Sequence, residues 1–212
     1  MELNPHRRRS LIGLSAVTAL VWVTASDISI ALPTIGRDLG GSMDVLQWAV
    51  NGYFLAGSLI IVGGRLADLF GRRLLFTIGT LLLLCGSVVS ALAGSPTMLV
   101  LGRVLQGVGA AAILPAALAI IALEFPDDER DGAISVWIAT CWGAQALGPL
   151  VGGVRVAALG WTAIFWVNLP LGALALWLTW RSTSESTSGE AERHVDVPGL
   201  VTLVGGLFLL NF

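Results

Sequence analysis

Two ionisable side chains stand inside long apolar stretches of this sequence: Asp27 within Leu11–Leu32 and Arg103 within Met98–Leu123. Charge is costly in hydrocarbon, so an acid or guanidinium kept there usually handles ions or protons. If the two stretches cross a bilayer in opposite directions, Asp27 lies about 16 residues, or roughly 24 Å, along the first. Arg103 then lies about five residues, or roughly 8 Å, into its own stretch, at a matching depth in the outer third of the membrane. The expected chemistry is an ion pair that dissolves when the acid takes a proton. On the Asp27 side the shared face holds the small Ala16, Thr24 and Ala31 with the larger Leu20, and on the Arg103 side it holds Gln106, Gly107 and Ala110. The plainer alternative is that Asp27 snorkels to the outer interface, six residues before Pro33.

Other chemistries find no support. Both histidines, His6 and His194, lie outside the apolar stretches, so Ser15 has no histidine base. Cys85 and Cys141 form no spaced framework, and no metal-ligand cluster is visible. Gly107-Val108-Gly109 imitates a dinucleotide fingerprint but does not follow a strand. The sequence therefore reads as a non-enzyme without metal or cofactor.

The elements that must position these residues follow from composition. Of 212 residues, 55% are hydrophobic and 12% charged, whereas soluble domains carry about a quarter charged. All twelve cations are arginines, against fourteen acids, and the net charge of −2 argues against nucleic acid as a partner. Six stretches suit membrane helices: Leu11–Leu32, Leu46–Gly64, Leu74–Leu92, Met98–Leu123, Ala133–Leu159 and Trp161–Trp180. A signal peptide is disfavoured, because the first apolar run is too long and five more follow. Alternate loops carry Arg7, Arg8, Arg9, Arg65, Arg72, Arg73, Arg130, Arg181 and Arg193, against Arg37 and Arg155 on the other side. This places the N-terminus in the cytoplasm of a multi-pass cell-membrane protein. Trp161, Trp177 and Trp180 sit at helix ends, suited to the lipid–water boundary. The predicted organisation is a cytoplasmic tail (1–10), a six-helix bundle (11–181), a Ser- and Glu-rich cytoplasmic linker (182–198) and an incomplete seventh helix (199–212).

Two further patterns are informative. Gly64-Arg65-Leu66-Ala67-Asp68-Leu69-Phe70-Gly71-Arg72-Arg73 is read as a turn between the second and third spans, with Gly71 ending a helix and Asp68 placed to pair with Arg72. Gly148-Pro149-Leu150-Val151-Gly152-Gly153 combines a proline kink with a small-residue packing face.

In this order, these motifs resemble the major facilitator superfamily, specifically its fourteen-helix drug:proton antiporter branch. Gly64–Arg73 looks like the signature between helices two and three, departing at Leu69, where a basic residue is usual. The stretch 101–111 is similar to the helix-four motif, and Gly148-Pro149 with Gly152-Gly153 to the antiporter motif of helix five. Gly160-Trp161, Phe165 and Asn168-Leu169-Pro170 look like the approach to helix six. The branch's acid in helix one would fall at Thr24, whereas this chain has Asp27 about one turn later.

The resemblance implies the N-terminal half of a facilitator fold: an all-α polytopic membrane protein whose six helices form two three-helix inverted repeats. It implies proton-coupled export of drug-like hydrophobic or amphipathic molecules by alternating access, with the proton gradient as energy source. Asp27 and Arg103 would couple the proton. Asn51, Gln106, Trp142 and Gln145 would line the substrate cavity. Gly64, Asp68, Gly71, Arg72 and Arg73 would gate the cytoplasmic side. Gly148, Pro149, Gly152 and Gly153 would pack against a missing C-terminal half or a second copy, and in the half alone they would face lipid beside Asp27, Arg103 and Gln106. The competing readings are a truncated, non-transporting membrane fragment and a nutrient uniporter or symporter.

Overall fold

The computed structural model describes residues 4–183 and Gly206. Most of the expected linker and seventh helix, and the first three residues, lie outside them. The described residues form eight helices without strands. They are α1 (Pro5–Leu39), α2 (Met43–Gly57), α3 (Ile60–Phe70), α4 (Arg72–Ala91), α5 (Pro96–Glu124), α6 (Asp127–Leu159), α7 (Ala163–Trp166) and α8 (Asn168–Ser182).

Five helical segments are long and apolar enough to cross a membrane, and the α2–α3 pair makes a sixth span if its 43° bend is crossed. That bend corrects the expectation of one continuous helix over Leu46–Gly64. Ser58 donates its hydroxyl to the Leu55 carbonyl at 2.6 Å, and Gly57 just before it is a weak helix former. The first helix, in contrast, outlasts its expected end. Pro33 removes one ladder hydrogen bond but lies on an exposed face, and the helix continues to Gly40 and Gly41, whose φ of 68° and 96° stop it. Its other end begins at Pro5, capped by the Asn4 side chain, within the stretch expected to be a tail.

The packing pattern is reciprocal. Helix α1, first of the opening three spans, packs mainly on α6 and α8, the second and third spans of the following three. Helix α5, first of the second set, packs mainly on α2, α3 and α4. Such an exchange is what two interlocked three-helix repeats produce. Helices α4 and α8 meet on one edge, while α2 and α6 flank the opposite edge. Close approach depends on small residues: a Cβ at Gly107 would lie 2.3 Å from the Tyr53 carbonyl oxygen, and one at Gly109 would lie 2.6 Å from that of Gly79.

Two apolar clusters fill the interior. One gathers Leu14, Val17, Phe76, Ile113, Ile121 and Phe125. The other gathers Ile28, Ile35, Leu46, Leu99, Ile164 and Phe165. Trp161 belongs to the second; it is buried and donates from Nε1 to Asp38 at 2.9 Å, so it is a core residue rather than an interfacial anchor. Between the clusters lies a layer of polar side chains.

Candidate functional site

The layer is centred on Arg103, which is fully buried. Its Nε donates to the Ala49 carbonyl at 2.8 Å, and its Nη1 donates to the Thr24 carbonyl at 3.0 Å and to Gln106 Oε1 at 2.8 Å. The guanidinium also lies over the Tyr53 ring, 4.3 Å from its centroid. Tyr53 in turn donates to the Val21 carbonyl at 2.7 Å. Gln106 Nε2 donates to Ser87 Oγ at 2.8 Å, and Asn168 Nδ2 bridges Thr24 Oγ1 at 3.1 Å and Ser87 Oγ at 3.2 Å. One connected network thus ties α1, α2, α4, α5 and α8. A buried guanidinium is costly unless its donors find acceptors; main-chain carbonyls of two neighbouring helices serve Nε and Nη1, while Nη2 is buried without a hydrogen-bond partner among the described residues.

Asp27 sits beside this network and is equally buried. The expected ion pair with Arg103 does not form. Arg103 aims its donors one turn earlier, at the Thr24 carbonyl, although the two charges remain within electrostatic range. The carboxylate's ion-pair partner is Arg155 of α6, whose Nη1 lies 3.9 Å from Asp27 Oδ2. That distance is too long for a hydrogen bond, and among the described residues neither atom makes one. Arg155, counted by sequence as an outer-loop arginine, is therefore a partner of the buried acid.

The glycines of α6 explain this arrangement. A Cβ at Gly148 would collide with the Ser26 hydroxyl, and one at Gly152 would lie 2.5 Å from Asp27 Cβ. Both glycines are seats for α1, which corrects the expectation that they face lipid or a missing half. Gly153 has only Ile30 nearby, at an ordinary 3.7 Å, and Pro149 lies half-buried within the helix. Towards the N-terminal ends of both helices, Trp137 donates to Thr18 at 3.1 Å, Trp142 stacks on Trp22, and Arg7 pairs with Glu129 at 3.1 Å. Helices α1 and α6 run parallel in a single register along this seam.

The expected cavity residues separate. Gln106 is buried in the Arg103 network and faces no open side, nor do Asp27 and Arg103. Asn51 on α2 and Trp142 on α6 are exposed, and Gln145 is half-buried, on the two helices that flank one edge. The stretch Gly64–Arg73 is helical as far as Phe70, so it is a helix end and a one-residue turn rather than a loop. Gly71 makes that turn at φ 116°. Asp68 does pair with Arg72, at 3.0 Å, and Arg73 donates to the Trp180 carbonyl of α8. Gly64 lies against Pro115 of α5.

Tyr53, Ser87, Asn168 and Arg155 were not singled out as site residues. Tyr53 carried a signal, being the one tyrosine of the chain and lying within an apolar stretch. Ser87 carried none, since single serines are common in membrane helices.

The Major Facilitator Superfamily model matches residues 11–210. The chain belongs to the Major Facilitator Superfamily. Within this superfamily it is 40% identical, over 99% of its length, to the puromycin resistance protein pur8 of Streptomyces alboniger, covering 42% of that protein. It is 34% identical over 95% of its length to the tetracenomycin C resistance and export protein of Streptomyces glaucescens, covering 38% of it. It is 37% identical over 97% of its length to the multidrug resistance protein Stp of Mycobacterium tuberculosis, covering 39%. The chain spans about two fifths of the length of these curated relatives. Among solved structures, a bacterial homologue of the human lysosomal transporter Spinster, inward-facing and unoccupied, superposes with a TM-score of 0.74 at 21% identity. The superposition covers 92% of this chain and 47% of that one. The fold is thus the N-terminal half of a facilitator, a multi-pass membrane protein of a transporter family.

Proposed function

We propose that this bundle is the first half of a proton-coupled exporter of hydrophobic or amphipathic molecules, seated in the cell membrane with its N-terminus in the cytoplasm. The observation that carries the reading is Asp27: a buried acid at the α1–α6 seam, joined to Arg155 by a single 3.9 Å ion pair. Protonation removes the carboxylate's charge and with it the attraction between the two helices at that level. In this reading Arg103 is the fixed structural cation, and Arg155 is the one that responds. Substrate would be met on the α2–α6 edge, where Asn51, Trp142 and Gln145 lie, with a second half closing that edge. The Asp68–Arg72 pair and the Arg73 contact to α8 would hold the cytoplasmic side. No cofactor is needed, since the proton gradient supplies the energy. Relatives named for antibiotic resistance and export support a drug-like substrate class.

The test is export of a fluorescent cationic dye from proteoliposomes under an imposed proton gradient, using the transporter that contains this bundle. Asp27→Asn is expected to abolish gradient-driven export while the protein still inserts. Undiminished gradient-driven export by that variant would remove Asp27 from the mechanism.

A further inference from the structure

A groove of about 350 Å³ runs between α4 and α8, on the edge opposite α2 and α6. Leu81, Leu84, Ala173 and Leu176 form its walls, and Trp177 and Trp180 lie towards its mouth. Among the described residues that line it, Thr77 donates its hydroxyl to the Arg73 carbonyl within α4, so the groove's interior is effectively apolar. Next to Ala173, Gly172 lets α8 close on Leu84: a Cβ there would lie 2.6 Å from Leu84 Cδ2. At the mouth, two guanidiniums rest on the two indoles, Arg73, which also donates from Nη2 to the Trp180 carbonyl, at 4.9 Å from the Trp180 ring centroid and Arg181 at 4.6 Å from that of Trp177. Among the described residues, no acid lines the groove.

We infer that this groove holds one anionic phospholipid, with an acyl chain between α4 and α8 and the phosphate at Arg73 and Arg181. Three features point to this occupant. The mouth is cationic and the interior apolar, which matches the two ends of such a lipid. The exposed Trp177 and Trp180 and the adjacent arginines belong to the arginine-rich end of the bundle, the level at which indoles and guanidiniums meet headgroups. The groove also lies away from the edge where a second half would close. The inference requires the bundle to span a bilayer and does not depend on proton-coupled export.

The experiment places the purified protein in phosphatidylcholine nanodiscs containing a minor fraction of either brominated phosphatidylglycerol or brominated phosphatidylcholine, and reads tryptophan quenching. The anionic brominated lipid is expected to quench more strongly at equal fraction. The excess should disappear in W177F/W180F, which locates it at the groove. Removing one arginine (Arg181→Gln) should weaken the apparent preference for the anionic lipid about fivefold, and adding Arg73→Gln should weaken it by about as much again. Equal quenching by the two lipids in the unaltered protein would overturn the inference. So would an excess that survives the arginine substitutions or persists in W177F/W180F, and so would absence of quenching at Trp177 and Trp180, which would mean that protein covers the groove.

Discussion

Arg103 and Asp27 illustrate how differently two buried charges can be accommodated. Arg103 has main-chain carbonyls on α1 and α2, an amide oxygen on its own helix and an aromatic face beneath it. Asp27 has one long ion pair. The first arrangement is built to stay, since each hydrogen bond to a charged group contributes about 1.5–3 kcal/mol. Arg103→Met is therefore expected to destabilise the bundle by about 3 kcal/mol or more, read as a lower unfolding midpoint in detergent. Arg155→Gln, which removes only the partner 3.9 Å from Asp27, should cost less stability but impair gradient-driven export. Equal stability losses for the two variants would contradict this division of roles. The charges were legible in the sequence because an acid and an arginine interrupt apolar runs. Their partners were not. Matching depth along two helices does not fix which way each helix is turned, and Arg155 stands three residues beyond Gly152, near the end of its span, where it resembled a loop cation.

Among the elements, α5 packs against α2, α3 and α4 as the scaffold, and the proposed mechanism falls on α1 and α6. The seam is set by glycines that admit α1, so its tolerance should vary sharply over one residue. Gly152→Val places side-chain atoms where Asp27 already sits and is expected to destabilise by about 1–3 kcal/mol, whereas Gly153→Ala, with only Ile30 at 3.7 Å, should be close to neutral. Unfolding of both variants in detergent checks the contrast, and similar midpoints would show that α6 does not seat on α1 through Gly152. The glycine motif was visible in the sequence as a packing face, but its partner was expected outside the chain. A small-residue stripe shows that some helix approaches closely without saying which one. The break between α2 and α3 was hidden for another reason: hydropathy along 46–64 is unaffected by a serine that diverts one carbonyl.

At the scale of the molecule, the all-helical membrane fold class was legible because apolar runs of membrane length are separated by short polar connectors. The reciprocal packing of the two sets of helices came only with the structure. Orientation rests on the arginine distribution, which becomes more one-sided once Arg155 is removed from the outer loops. With Cys85 and Cys141 replaced, a cysteine at Ser42 should react with an impermeant reagent from outside, and one at Asp128 only after permeabilisation; the reverse pattern would invert the bundle. In the proposed function, export turns on one proton at the α1–α6 seam. The most direct measurement is proton release into a weakly buffered solution when a drug-like substrate is added to the purified transporter, followed with a pH indicator. The unaltered protein should release protons on binding, and Asp27→Asn should bind without release. Release of as many protons by Asp27→Asn would show that the coupled proton resides elsewhere.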